Sequence, residues 1–456
     1  MIPEPQVLSS AEALAAARET RALEIGHGIL RRVPEIFRQQ FGDRPAIIVS
    51  DPNTFAAAGH VVQEAFAAAG HVILEPFLFP DPALYAEYRF VDELRAALEK
   101  HDAVPVSVGA GSINDLTKLA SHQTGRRYLC VGTAASMDGY TAYGSSITHQ
   151  GSKQTFDCPA PVAVVADLDV IAAAPAAMNA WGYADLLAKV TAGADWIVAD
   201  FLEVEPIDPL TWNIVQGGLR KAVGDPDGIR GADPEAIALL VEGLMLGGFA
   251  MQASRSSRPA SGAEHQFSHL WDMQHHTHEG WAPSHGLKVG IGTVAVTALY
   301  EQLLNLPLES LDVEACCAAW PDLETLLVRA RAAFDQDDLI AVAERELTAK
   351  HSSRGGLRVQ LETLRRVWPK LRGALRKQLI PLTELKAMLT AAGAAVEPEQ
   401  ISISRPRLRE SYLRAFYLRR RFTVLDLAVR AGLLESCLDQ IFGPDGIWPC
   451  AAAPSL

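Results

Sequence analysis

The stretch that decides the fold is Val104-Pro105-Val106-Ser107-Val108-Gly109-Ala110-Gly111-Ser112-Ile113-Asn114-Asp115. An apolar, β-rich run stops at two glycines and continues to Gln123 with apolar residues at three- and four-residue intervals. That reads as a strand over Val104–Val108, a tight turn and a helix over Ile113–Gln123, one unit of a parallel α/β sheet. Working outward from Arg44 to about Asp169, the same alternation predicts strands at Ala46–Ser50, Val72–Phe77, Tyr128–Val131 and Val162–Ala166. Helices are predicted at Thr54–Ala69 and Phe90–Lys100. A twisted, mostly parallel sheet flanked by helices follows, and such sheets bind ligands at the carboxyl ends of their strands.

Three features fall at those ends. Gly109, Ala110, Gly111, Ser112, Ile113 and Asp115 form a small-residue turn opening a helix, where backbone N–H groups can approach a pyrophosphate; a tight turn alone also favours glycine. Asp51 closes the run AIIVS, where a carboxylate can accept from an adenosine ribose and repel a 2′-phosphate, favouring NAD over NADP. It could equally be a helix N-cap. Thr133, Ala134 and Ser136 offer small and hydroxyl side chains to a diphosphate, and Asp138 stands where it could face a polyol substrate.

With 456 residues, two domains are the default, and we divide the chain into an α/β NAD(P)-binding domain over 1–172 and a helical metal- and substrate-binding domain over 173–456. The apolar and charged fractions, 49% and 21%, are those of an ordinary globular protein. A net charge of −13 argues against nucleic acid as a partner, since counterion release needs a basic face. The run Leu418-Arg419-Arg420-Arg421 reads as a solvated helix face. No uninterrupted apolar stretch of membrane-spanning length and no signal peptide are apparent, so an integral membrane segment is not expected. Six cysteines without ligand spacing fit reduced thiols in a cytoplasm.

Beyond Asp169 the composition turns to alanine- and leucine-rich helical periodicity. Imidazole gathers here: of thirteen histidines, His265, His269, His275, His276, His278 and His285 lie close together. His265 and His269 share a helix face. Asp185 has Leu186, Leu187 and Trp196 nearby, which suggests burial, and a buried carboxylate needs a partner. Lys189 one turn on would make an ordinary salt bridge; a divalent metal is the other reading. Asp185, His265 and His285 together are one carboxylate and two imidazoles, ligand types for zinc or a neighbouring transition metal, with a position left open for substrate oxygen. His269 is assigned to the substrate.

The motifs GAGSINDLTK (109–118), GTAASMDGYT (132–141), YADLLAK (183–189), RPASGAEHQFSH (258–269) and HGLKVGIGT (285–293) recur in this order in a known family. The chain resembles the sn-glycerol-1-phosphate dehydrogenases, a branch of the iron-containing alcohol dehydrogenase and dehydroquinate synthase superfamily, from about residue 22 to 434. The resemblance implies that superfamily's fold and an NAD(P)-dependent, reversible reduction of dihydroxyacetone phosphate to sn-glycerol 1-phosphate. It implies that Gly109 to Asp115 and Thr133 to Ser136 hold the dinucleotide and that Asp138, Asp185 and His269 serve substrate and catalysis. Asp185, His265 and His285 would hold one divalent metal, zinc in the first place, with nickel or iron as alternatives. Ala110 and Ala142 depart from the family's usual glycine and serine, and the segment between His269 and His285 is longer than usual.

The expected reaction is metal-assisted hydride transfer, with His269 delivering the proton because an unperturbed imidazole titrates near neutrality. Arg255, Arg258 or Lys288 would meet a substrate phosphate. The competing substrates are glycerol or another free polyol, and the competing chemistry is a dehydroquinate synthase-like lyase. Asp185, where those lyases place a glutamate, argues against the lyase. A homodimer is the base-rate assembly.

Overall fold

Eight strands carry the first half of the chain in this computed structural model, which describes residues 4–80, 84–149 and 152–450. They are β1 (Ala22–Gly26), β2 (Ala46–Ser50), β3 (Phe77–Leu78), β4 (Val104–Gly109), β5 (Leu129–Gly132), β6 (Ser145–His149), β7 (Ser152–Phe156) and β8 (Ala163–Asp167). Six of them form one sheet in the order β1-β8-β5-β4-β2-β3, every pairing parallel, while β6 and β7 make a separate antiparallel hairpin.

Burial on both faces explains why these strands read as continuous apolar runs. On one face Val33, Ile36, Phe37, Val62 and Phe66 pack on Ile48, Val106, Val131 and Val165. On the other, Phe90, Leu94, Ile113 and Leu116 pack on Ile47 and Val49. Three details differ from the sequence reading. The predicted strand 72–77 shrinks to two residues at Phe77–Leu78, with a single bridge from Ile73 to Ala46. The predicted helix 54–69 runs as Pro52–Thr54, a π turn at Phe55–Gly59, and His60–Ala68. β1 and the β6–β7 hairpin have no counterpart among the predicted strands.

After β8, every named element is helical. Helix Pro234–Ser254 is long and apolar enough, at a mean hydropathy of 1.6, to cross a membrane by composition, but 72% of that window is buried against the rest of the chain. The short helix Ser10–Ala16, closed by a reciprocal Ser9–Glu12 cap, precedes the sheet yet lays Ala13 beside Ile214 and Phe249 of the helical half.

Candidate active site

Three helices bring the metal-ligand candidates together, and glycines set how closely they approach. Helix Ala176–Leu187 carries Asp185, helix Ala263–Met273 carries His265 and His269, and helix His285–Leu304 opens with His285. A Cβ on Gly286 would lie 2.0 Å from the Trp181 carbonyl oxygen, and one on Gly292 would lie 2.4 Å from that of Glu264. The backbones therefore meet where no side chain fits. The N-terminus of the histidine helix is tied down as well: Ala263 N–H donates to Asp195 Oδ2 at 2.7 Å, and Asp195 Oδ1 accepts from Tyr300 O–H at 2.6 Å and Val424 N–H at 2.8 Å.

The result is a cluster in which one ligand atom each from Asp185, His265 and His285 lies within 4.8 Å of the others. His265 Nε2 stands 3.6 Å from Asp185 Oδ1, beyond a good hydrogen bond, while its Nδ1 is 2.8 Å from Glu264 Oε1. Glu264 thus fixes the ring with Nε2 facing the cluster, the carboxylate–histidine arrangement of many metal sites. Burial pulls His285 down to about 3 against the opposing charge of Asp185, leaving the neutral imidazole that ligates metals. Lys189, fully buried, places Nζ 2.8 Å from Asp185 Oδ1 and 2.7 Å from Asp138 Oδ2. Asp138 N–H donates to Asp185 Oδ2 at 3.0 Å. Two carboxylates, Asp138 and Asp185, thus face one ammonium, an excess of negative charge suited to a divalent cation.

A cavity of about 480 Å³ meets this cluster at His265 and is lined also by Ser261, His269, Glu346, Arg419 and Arg421 among others. Its size is that of a small-ligand pocket. Arg419 Nη2 donates to His269 Nδ1, so the proton of the neutral ring sits on Nε2. Burial and the Arg419 charge hold His269 well below the usual imidazole range. On the sheet side, Gly109 and Gly132 are neighbours at the ends of β4 and β5, and Thr133 N–H donates to the Gly109 carbonyl at 3.2 Å. Ala110 is the N-cap of helix Gly111–Gln123 and supplies no side-chain cap, which leaves first-turn N–H groups for an anion. These residues fit a dinucleotide phosphate.

The chain is similar to known proteins in sequence and in fold. Residues 24–175 match the iron-containing alcohol dehydrogenase family. The chain is 35% identical over 298 residues to a glycerol-1-phosphate dehydrogenase [NAD(P)+] of Halalkalibacterium halodurans, covering 65% of this chain and 74% of that one. It is 31% identical over 408 residues to the enzyme of the same name from Geobacillus stearothermophilus, covering 88% and 90%. The chain belongs to the glycerol-1-phosphate dehydrogenase family. A glycerol dehydrogenase from Schizosaccharomyces pombe shares the fold, with a TM-score of 0.58 at 15% identity over 93% of this chain and 91% of that one. An NAD(P) cofactor and a metal are expected of this family.

Several residues of this family member stand differently from the sequence reading. Asp51 caps the helix at Pro52, accepting from Thr54 N–H at 2.8 Å, one of its two open readings. Asp185 and Lys189 do form the salt bridge that their spacing offered, but it is buried rather than solvated, and it coexists with the ligand cluster. Lys118 buttresses the loop after β5 by donating to the carbonyls of Gly139, Ala142 and Gly144 at 3.1, 2.9 and 2.9 Å. Ser112, Ile113 and Asp115 stand in the first turns of helix Gly111–Gln123, and Ala134 and Ser136 in the loop after β5, where the Ala134 carbonyl accepts from Tyr140 O–H at 2.7 Å. The long link after His269 turns away from the cavity: His276 Nε2 meets the Ile401 carbonyl at 2.6 Å, and His278 Nδ1 meets Ser402 Oγ at 2.9 Å.

None of the three candidate phosphate cations lines the cavity. Arg258 is buried with its guanidinium donated to the carbonyls of Phe422 and Asp195, at 2.9 and 3.0 Å, and Lys288 pairs with Asp272. Arg255 is an exposed residue that ends helix Pro234–Ser254. The cavity's cations come instead from Arg419, Arg420 and Arg421, which are not a solvated helix face: the preceding helix ends at Tyr417.

Proposed function

We propose that this chain is a metal-dependent NAD(P)H oxidoreductase that reversibly reduces dihydroxyacetone phosphate to sn-glycerol 1-phosphate. The observation that carries the reading is the convergence of Asp185, His265 and His285 within 4.8 Å beside a small-ligand cavity. Those three residues would hold one divalent metal, zinc first and nickel or iron as alternatives. Gly109 to Asp115 with Thr133 to Ser136 would hold the dinucleotide. Asp51, beyond the end of β2 beside β4, would favour NAD.

A cation in this site would supply Lewis-acid polarisation of the ketone oxygen, and a bound reduced nicotinamide would supply the hydride. The chain's own part is orientation and charge. Glu264 holds the His265 ring, and Lys189 holds Asp185 and Asp138 in one arrangement. His269, neutral and accepting from Arg419 at Nδ1, offers Nε2–H to a substrate oxygen. It acts there as a hydrogen-bond donor that orients the substrate, because burial and Arg419 deny it the charge of the imidazolium acid that an unperturbed pKa suggests. The proposed setting is a reducing cytoplasm, consistent with six unpaired cysteines, and the proposed assembly is a homodimer.

The test is an NADH- and NADPH-oxidation screen over dihydroxyacetone phosphate and dihydroxyacetone, on chelated protein restored with zinc or nickel. Metal-dependent turnover that prefers the phosphorylated ketone supports the reading. Preference for the free ketone turns it to a polyol dehydrogenase, and no net oxidation of cofactor with any ketone turns it to a lyase.

A further inference from the structure

The cavity beside the cluster carries more positive charge than the chain neutralises. Of the two carboxylates that line it, Glu346 is taken by Arg420 at 2.9 and 3.0 Å, and Glu205 lies 3.3 Å from Arg258 Nε. Arg419 and Arg421 are left without an ion-paired carboxylate among the described residues. Arg421 Nη1 donates to the Ser261 carbonyl at 2.7 Å and Nη2 to Ser257 Oγ at 2.9 Å, which fixes the guanidinium plane beside the N-terminus of the histidine helix. Arg419 spends one donor on His269 and keeps the rest of its fork free among the described residues. Burial, together with the neighbouring charges of Arg258 and Arg419, pulls Arg421 down to about 9, a repulsion that an anion would relieve.

We infer that Arg419 and Arg421 form the anchor for the phosphate dianion of the substrate, placed so that one cavity holds the phosphate at its arginine end and the reacting carbon at its histidine end. This rests on the functional reading above. Two half-buried guanidinia suit it because they offer planar, paired donors to phosphate oxygens, and unlike ammonium groups they keep their charge when partly desolvated. His269 bridges the two ends, so Arg419 is tied to both the phosphate and the orienting imidazole.

The experiment measures kcat/KM for dihydroxyacetone phosphate and for dihydroxyacetone on zinc-restored wild type, Arg421→Gln, Arg419→Gln and Arg421→Lys, with inorganic phosphate as an inhibitor of the wild type. The ratio of the two specificities is expected to fall ~100-fold in each glutamine variant. It should fall by about tenfold in Arg421→Lys, which keeps the charge and loses the fork. Inorganic phosphate should compete with dihydroxyacetone phosphate in the wild type. Glutamine variants that keep the wild-type ratio, or phosphate that fails to compete, would overturn the anchor and leave the functional reading standing. A wild type that reduces the free ketone as readily as its phosphate overturns the functional reading and the anchor with it. If the glutamine variants do not fold, as judged by circular dichroism, Arg421→Lys and the competition in the wild type decide.

Discussion

The two ends of the cavity are charged in opposite senses and are built differently. At the Asp185 end, carboxylates outnumber the single ammonium of Lys189, which Asp185 one turn earlier and Asp138 in the loop after β5 share. At the other end, Arg420 is matched by Glu346, while Arg419 and Arg421 are held by a carbonyl, hydroxyls and a neutral imidazole. The first suits a divalent cation, the second a dianion. On the proposed reading, one pocket would hold a metal and a phosphate without letting them neutralise each other: each surplus sits on separate elements, with His269 between them.

The strongest way to break this comparison is Asp185→Asn. It should abolish bound metal, read by elemental analysis, and lower ketone reduction by ~10³-fold, while Arg421→Gln retains its metal. Loss of metal from both variants would merge the two ends into one site. Next in size is Gly286→Ala, which drives a methyl into the Trp181 carbonyl and should cost ~3 kcal/mol, seen as a lowered thermal midpoint. An unchanged midpoint would mean that the helices need not approach so closely to assemble the cluster.

A smaller effect is expected from Glu264→Gln. It replaces the charged acceptor that orients His265 with a neutral amide oxygen and should weaken metal affinity by roughly 10–100-fold with the fold intact. The smallest concerns the arginine end. Burial alone would raise Glu346, but hydrogen bonds from Arg420 and Arg345 hold it at about 2, below its ordinary 4.5. A depressed carboxylate stabilises the fold above about pH 4.5, and that stabilisation is lost as pH falls from there toward 2. Glu346→Gln should therefore lower stability by about 1 kcal/mol near pH 7 and flatten the acid limb of the stability profile measured by denaturant unfolding. An acid limb identical to the wild type would remove Glu346 from the account.

Much of this was legible in the sequence. The strands β2, β4, β5 and β8 announce themselves because burial on both faces demands continuous apolar runs bounded by turns. β1 hides because all five of its residues, ALEIG, are only half-buried, and β6 hides because SSITH is largely polar. At the site, His265, His269, His285 and Asp185 are visible by residue type and spacing. Lys189 and Glu264 are visible only as helix neighbours, since what makes them matter is burial, which spacing cannot convey.

The arginine run departs from the solvated helix face that its sequence predicts for a definable reason. Helical periodicity continued through it predicts a wet face, but the helix stops at Tyr417, and in the irregular backbone beyond it Arg420 goes to Glu346 while Arg419 and Arg421 reach His269 and Ser261. Only the long-range contacts show which arginines are already matched, and those come from residues some 74 to 160 positions away.

The most direct test of the central claim is a metal titration. Protein stripped by chelation is given zinc in steps, and NADH oxidation by dihydroxyacetone phosphate is followed at each step. The account predicts no turnover at the start and a rise that saturates at one equivalent of metal per chain. Full turnover in the stripped protein, or a rise indifferent to Asp185→Asn, would contradict it.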